Sequence, residues 1–105
     1  KESSAASDVY KRQAVLNAFK DAYNAIAEFN KIKEIYETRL RLEQASKSTL
    51  DLAQLQYLNG VIGYMDLLDA QRGYLDAQIG LSNAVRDKQI SMVNLYKALG
   101  GGWQE

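Results

Sequence analysis

Cysteine, histidine and proline are all absent from the 105 residues, and no glycine precedes residue 60. Without cysteine or histidine there is no disulfide frame, no thiol nucleophile and no conventional zinc site. Without proline or an early glycine, the first half of the chain lacks the strong breakers that punctuate loops, which favours long helices over sheet. A charge of one sign is lacking too. Thirteen basic residues balance thirteen acidic ones, so nothing electrostatic recommends DNA, RNA or an anionic membrane surface as partner. No run of about eighteen apolar residues occurs, which excludes a transmembrane helix within this segment. Gly100-Gly101-Gly102 follows a helical pattern and lacks the Lys-Ser/Thr continuation of a phosphate loop. The chain is read as no enzyme, with no metal site and no cofactor.

What is present is organised around Tyr57-Leu58-Asn59-Gly60-Val61-Ile62-Gly63-Tyr64-Met65-Asp66. Asn59 and Gly60 are residue types that tolerate positive φ at a helix C-terminus, so one helix should end there and the chain reverse. The expected fold is all-α: a long antiparallel helical hairpin, coiled-coil-like, with its turn at about residues 58–63. Residues 1–12 read as frayed or non-native, 13–58 and 64–99 as the two helices, and 100–105 as a glycine-rich tail. A hairpin of this size cannot enclose a core by itself, so it should pack against copies of itself or against something missing.

In the first arm Val15, Phe19, Ala22, Ile26 and Phe29 recur at steps of four and three, a helical seam. The strict seam breaks at Lys33, while Ile32, Ile35, Tyr36 and Leu40 carry the apolar face onward. Leu42, Ala45, Thr49, Leu52 and Ala53 then resume the alternation. No turn residues intervene, so the drift reads as a register change within one helix. Ser46-Lys47-Ser48-Thr49 is its weakest stretch by propensity; a new helix capped by Ser48 is the alternative to a continuous one.

In the second arm Leu67, Ala70, Tyr74, Ala77, Leu81, Ala84, Lys88, Ser91, Leu95 and Ala98 alternate without interruption, which predicts a left-handed supercoiled seam. Leu68, Leu75, Ile79, Val85, Met92 and Leu99 form a second apolar set, as suits a helix touched on both flanks. Ala70, Gly73, Ala77, Gly80 and Ala84 form a third, of small residues, that lets a neighbouring backbone approach; tolerated surface glycines are the plainer account of Gly73 and Gly80. Trp103 either caps an edge of the hairpin, contacts a missing domain, or belongs to a loose tail after a flexible linker.

Asp66 and Asp69 stand three apart on the opening turns of the second helix, so their carboxylates project from nearly one face. One account is local, with Asp66 capping or supporting the free amides of the helix N-terminus. A paired-carboxylate hydrolase lacks any histidine or lysine partner nearby. In a symmetric ring the same pair would line an opening that attracts cations and resists anions. Asp69, Arg72 and Asp76 have the spacing of an intrahelical network, in which Arg72 at an interface would set register and orientation. Tyr57 and Tyr64 flank the reversal, either packing the turn or gating it.

Leu52-Ala53, Tyr57-Leu58-Asn59-Gly60, Tyr64-Met65-Asp66-Leu67-Leu68-Asp69-Ala70-Gln71-Arg72, Ala77-Gln78 and the closing Leu95-Tyr96-Lys97-Ala98-Leu99-Gly100-Gly101-Gly102-Trp103, in this order, resemble the C-terminal part of the outer membrane efflux protein family, the TolC-like and OprM-like channels. The likeness covers roughly residues 10 to 104, and Val15 to Ala22 resembles the segment that enters the family's long helix. The resemblance implies one hairpin of a homotrimeric channel in the outer membrane of a Gram-negative bacterium. This segment would lie in the periplasm, and the membrane would be crossed by barrel strands absent here. It implies a periplasmic adaptor protein and an inner-membrane pump as partners, and passive export of solutes. Asp66 and Asp69 then fall at the entrance constriction and Tyr57 at a tip tyrosine that helps hold the closed state; the residues themselves place Gly60 and Tyr64 with Tyr57 in tip packing or gating, and Arg72, Gly73, Ala77, Gly80 and Ala84 at interfaces. Gln56 stands where the family often has arginine, so a gating salt bridge does not carry over. A stand-alone helical protein–protein interaction module is the alternative, and a lipid- or peptide-binding bundle a further one; the isolated segment is also expected to self-associate through its exposed seams.

Overall fold

The computed structural model describes residues 2–101. Two α-helices, α1 (Glu2–Leu58) and α2 (Tyr64–Tyr96), form an antiparallel hairpin, and a π-helical turn, Lys97–Gly101, follows α2. Among the described residues there is no strand, and no helix is long and apolar enough to cross a membrane. α1 runs unbroken through Ser46-Lys47-Ser48-Thr49, so the weak local propensity there is overridden and Ser48 caps nothing.

Two boundaries differ from those expected. α1 begins at Glu2 rather than residue 13: Ala5 and Ala6 are strong helix formers, and no breaker lies between them and Val15. α2 leaves α-helical hydrogen bonding at Tyr96 rather than residue 99. Gly100 and Gly101, poor at holding an α-turn, let the last turn widen. The remainder of the expected glycine-rich tail, with Trp103, lies outside the described residues.

The chain divides into two compact units, one comprising Lys1–Lys31 with Gln89–Glu105 and the other Ile32–Lys88. The division in α1 falls next to Lys33, where the apolar seam breaks.

Within Ile32–Lys88 the buried residues are Ala53, Leu67, Ala77 and Ala84. On α1 the half-buried positions are Ile32, Tyr36, Leu40, Glu43, Ser46, Leu50 and Gln56. The two successive steps of four from Ile32 to Leu40 are the register drift. The later part of the seam is displaced from the expected one. Leu42, Ala45, Thr49 and Leu52 are exposed, and Glu43, Ser46 and Leu50 take their places. Apolar side chains occupy more than one stripe of α1, so hydrophobicity alone does not choose between adjacent stripes. Burial of an alanine removes about one methyl group from water, roughly 0.8 kcal/mol, so the alanine positions hold the pair weakly and the larger apolar contribution comes from Leu67 and the half-buried Ile32, Tyr36, Leu40 and Leu50. Leu75, Ile79 and Val85 remain exposed on α2.

Within the other unit, Ser91 is buried, and Ala22, Ala25, Phe29, Leu95 and Ala98 are half-buried. Val15 and Phe19, expected on the seam, are exposed, Phe19 by 68%, and Ala25 replaces Ile26. All ten seam positions expected in the second arm, nine on α2 and Ala98 in the turn after it, are buried or half-buried.

Candidate functional site

The reversal is built by hydrogen bonds that the sequence around Asn59-Gly60 permits. The Val61 amide donates to the Gln56 carbonyl at 2.8 Å and the Gly60 amide to the Tyr57 carbonyl at 3.0 Å. Gly60 sits at φ 73°. This is the Schellman arrangement, in which a left-handed residue just beyond the helix turns the chain and satisfies its last carbonyls. Asn59 reinforces the end, its side-chain amide donating to the Leu55 carbonyl at 2.8 Å. α2 opens where the Leu67 amide donates to the Gly63 carbonyl at 3.3 Å, which makes Gly63 the N-cap.

Asp66 is therefore the third residue of α2, inside the first turn, where its charge favours the free amide end without occupying the cap itself. Asp69 is one turn further on. Both are exposed, and with 100° per residue their directions differ by about 60°. The rings of Tyr57 and Tyr64 meet across the turn with centroids 5.8 Å apart and planes tilted by 53°, a favourable aromatic geometry. Tyr57, Gly60, Tyr64, Asp66 and Asp69 thus gather at one end of the hairpin.

The expected interface residues separate into two groups. Ala77 and Ala84, each 4% exposed, are buried within the hairpin itself. Gly80 lies beneath an α1 side chain: a Cβ there would meet Nη1 of Arg39 at 3.2 Å. Arg72 and Gly73 remain on the open surface, with nothing within 4 Å of a Cβ at Gly73. Among the described residues the one ion pair is Arg86–Asp87, at 3.8 Å, so the Asp69–Arg72–Asp76 network is not formed. These exposed charges gain more from water than from one another.

Sequence reasoning missed the polar contacts that cross the hairpin. The Tyr74 hydroxyl donates to Oε2 of Glu43 at 3.1 Å in a half-buried position. Burial, then the hydrogen bond and charge of Glu43 and the charge of Asp51, push the Tyr74 hydroxyl pKa up from its ordinary value. The ammonium of Lys88 lies 4.3 Å from the centroid of the Tyr36 ring, a cation–π contact. The two glycines inside α2 hinted at a close approach, but nothing in the apolar spacing marked Glu43. Among the described residues no group of three or more acidic side chains is placed to hold a metal.

Residues 1–101 match the family model described as outer membrane efflux protein. The chain is 31% identical over 93 residues to the probable outer membrane lipoprotein SilC of Salmonella typhimurium, covering 89% of this chain and 20% of that protein. It is 34% identical over 93 residues to the probable efflux pump outer membrane protein TtgC of Pseudomonas putida, covering 89% and 19%. With the outer membrane protein OprJ of Pseudomonas aeruginosa the identity is 32% over 91 residues, covering 87% and 19%. The chain spans about one fifth of the length of these curated relatives. No solved structure matches.

Proposed function

Since the chain belongs to the outer membrane efflux protein family, we propose that it is the periplasmic hairpin of a trimeric outer membrane efflux channel, with the turn at residues 59–63 forming part of the periplasmic entrance. The channel passively exports solutes that an inner-membrane pump delivers, and a periplasmic adaptor protein holds the two together. The membrane is crossed by parts of the polypeptide other than this segment.

The observation that carries this reading is the exposed pair Asp66 and Asp69 beside a tight reversal. Repeated by three-fold symmetry around a narrow mouth, six carboxylates would concentrate cations and oppose anions. Tyr57 and Tyr64, packed across the turn, would stiffen the tip that carries them, and Gly60 supplies the backbone conformation that the reversal needs.

Single-channel recording on the full-length channel carrying Asp66→Ala and Asp69→Ala together tests it. The expected result is weaker block by multivalent cations applied from the periplasmic side, with altered conductance. Unchanged block and unchanged conductance would remove both residues from the entrance.

A further inference from the structure

Two side chains one turn apart on α1 grip α2 at two different points of its circumference. Glu43 accepts the Tyr74 hydroxyl at 3.1 Å. Arg39, four residues earlier, covers Gly80, where a Cβ would meet Nη1 at 3.2 Å and Cδ at 3.6 Å. Tyr74 and Gly80 are six residues apart, so they face directions about 120° apart around α2. Between them the one buried residue of the seam is Ala77, a small side chain that resists a turn of the helix less than a larger knob would; Leu81, just beyond Gly80, is half-buried.

We propose that Glu43–Tyr74 and Arg39–Gly80 form a two-point clamp that fixes the rotation of α2 about its own axis and thereby aims Asp66 and Asp69. The aiming rests on the reading of that pair as the entrance. Asp66 lies about 80° and Asp69 about 140° from Tyr74, on the same side. Turning α2 one way stretches the Tyr74 bond, and turning it the other drives the Gly80 backbone against the Arg39 side chain. Both carboxylates sweep with the helix. The second grip is the softer of the two, because Arg39 is exposed and the Nη1 it brings over Gly80 is the far end of a flexible side chain; Tyr74 and Glu43 are positioning residues that act through the helix without touching solute.

The distance between nitroxides at Gln54→Cys and Gln71→Cys, both exposed positions in a chain without cysteine, reports the rotation by pulsed electron resonance. The measurement is made on this chain, diluted with unlabelled copies. Tyr74→Phe is expected to raise the fraction outside the parent distance peak roughly tenfold, the factor that one hydrogen bond to a charged group supplies. Glu43→Ala does the same, while Glu43→Gln, which keeps a neutral acceptor, stays closer to the parent distribution. An unchanged distribution in Tyr74→Phe with full helicity by circular dichroism overturns the clamp.

In the full-length channel, Tyr74→Phe should reproduce part of the loss of cation block seen on removing Asp66 and Asp69, and Glu43→Gln should not. A broadened distance with unchanged block, in a channel whose block does depend on the two aspartates, overturns the aiming. Block that never depended on the aspartates defeats the entrance reading instead, and the distance measurement still decides the clamp.

Discussion

The backbone amide of Val61 reaches the carbonyl of Gln56 at 2.8 Å, across a Gly60 held at φ 73°. A side chain at residue 60 would crowd its neighbouring carbonyl in that left-handed conformation. Gly60→Ala should therefore destabilise the chain by about 1–2 kcal/mol, and Gly60→Asn by less, because asparagine tolerates the conformation. Nothing lies within 4 Å of a Cβ built there, so the cost is conformational rather than steric crowding with other groups. Urea unfolding followed by circular dichroism checks the order Gly, Asn, Ala; an alanine variant as stable as the parent would mean that the turn has rearranged.

Tyr74 links stability to alkaline pH. Its folded-state pKa is raised above the ordinary value of 10.0 by burial and by the carboxylates of Glu43 and Asp51. A group whose pKa is raised on folding contributes stability in full below the unfolded value and loses it as pH climbs through the folded one. Stability should therefore fall as pH rises above about 10, and Tyr74→Phe should flatten that part of the profile while lowering stability at neutral pH. Melting temperatures taken across the alkaline range measure both effects. A phenylalanine variant with the parent's alkaline slope would assign that slope to another group.

Much of this hairpin is legible in the sequence. The seam of the second arm was legible throughout because its ten positions keep one spacing, and the reversal because Asn59-Gly60 combines two residue types suited to a helix end. The seam of α1 was only partly legible. Ala25 beside Ile26, and Ala53 beside Leu52, offer two candidate faces, and the larger residue of each pair turned out to be the exposed one. Glu43 was invisible to a search for apolar periodicity, since a carboxylate on a seam registers as an interruption rather than as the acceptor of a tyrosine hydroxyl. At the candidate site the sequence indicated which residues cluster near the turn. It could not indicate that Ala77 and Ala84 are consumed within the hairpin while Gly73 stays open.

That difference makes the small residues of α2 separable by substitution. Ala77 and Ala84 are buried where little space remains, so Ala77→Leu or Ala84→Leu should push the helices apart at a cost of about 1–3 kcal/mol each. Thermal unfolding of the isolated chain is the measure. Equal stability would indicate that the hairpin repacks around the larger side chain.

Gly73 should behave in the opposite way, and in doing so test the proposed interface. Nothing surrounds it in this chain, and it lies inside α2, where glycine costs about 1 kcal/mol relative to alanine. Gly73→Ala should therefore stabilise the isolated chain by up to about that amount. If a neighbouring helix of the assembled channel approaches α2 at Gly73, the added methyl group must be accommodated there, and the same substitution should weaken the trimer. Arg72, exposed beside it, should show its effect only in the assembly: Arg72→Ala leaves the stability of the isolated chain within about 0.5 kcal/mol but lowers the resistance of the full-length trimer to dissociation by detergent and heat. Melting of the isolated chain and trimer retention on a semi-denaturing gel separate the two contributions. A Gly73→Ala channel as robust as its parent would take Gly73 out of the subunit interface.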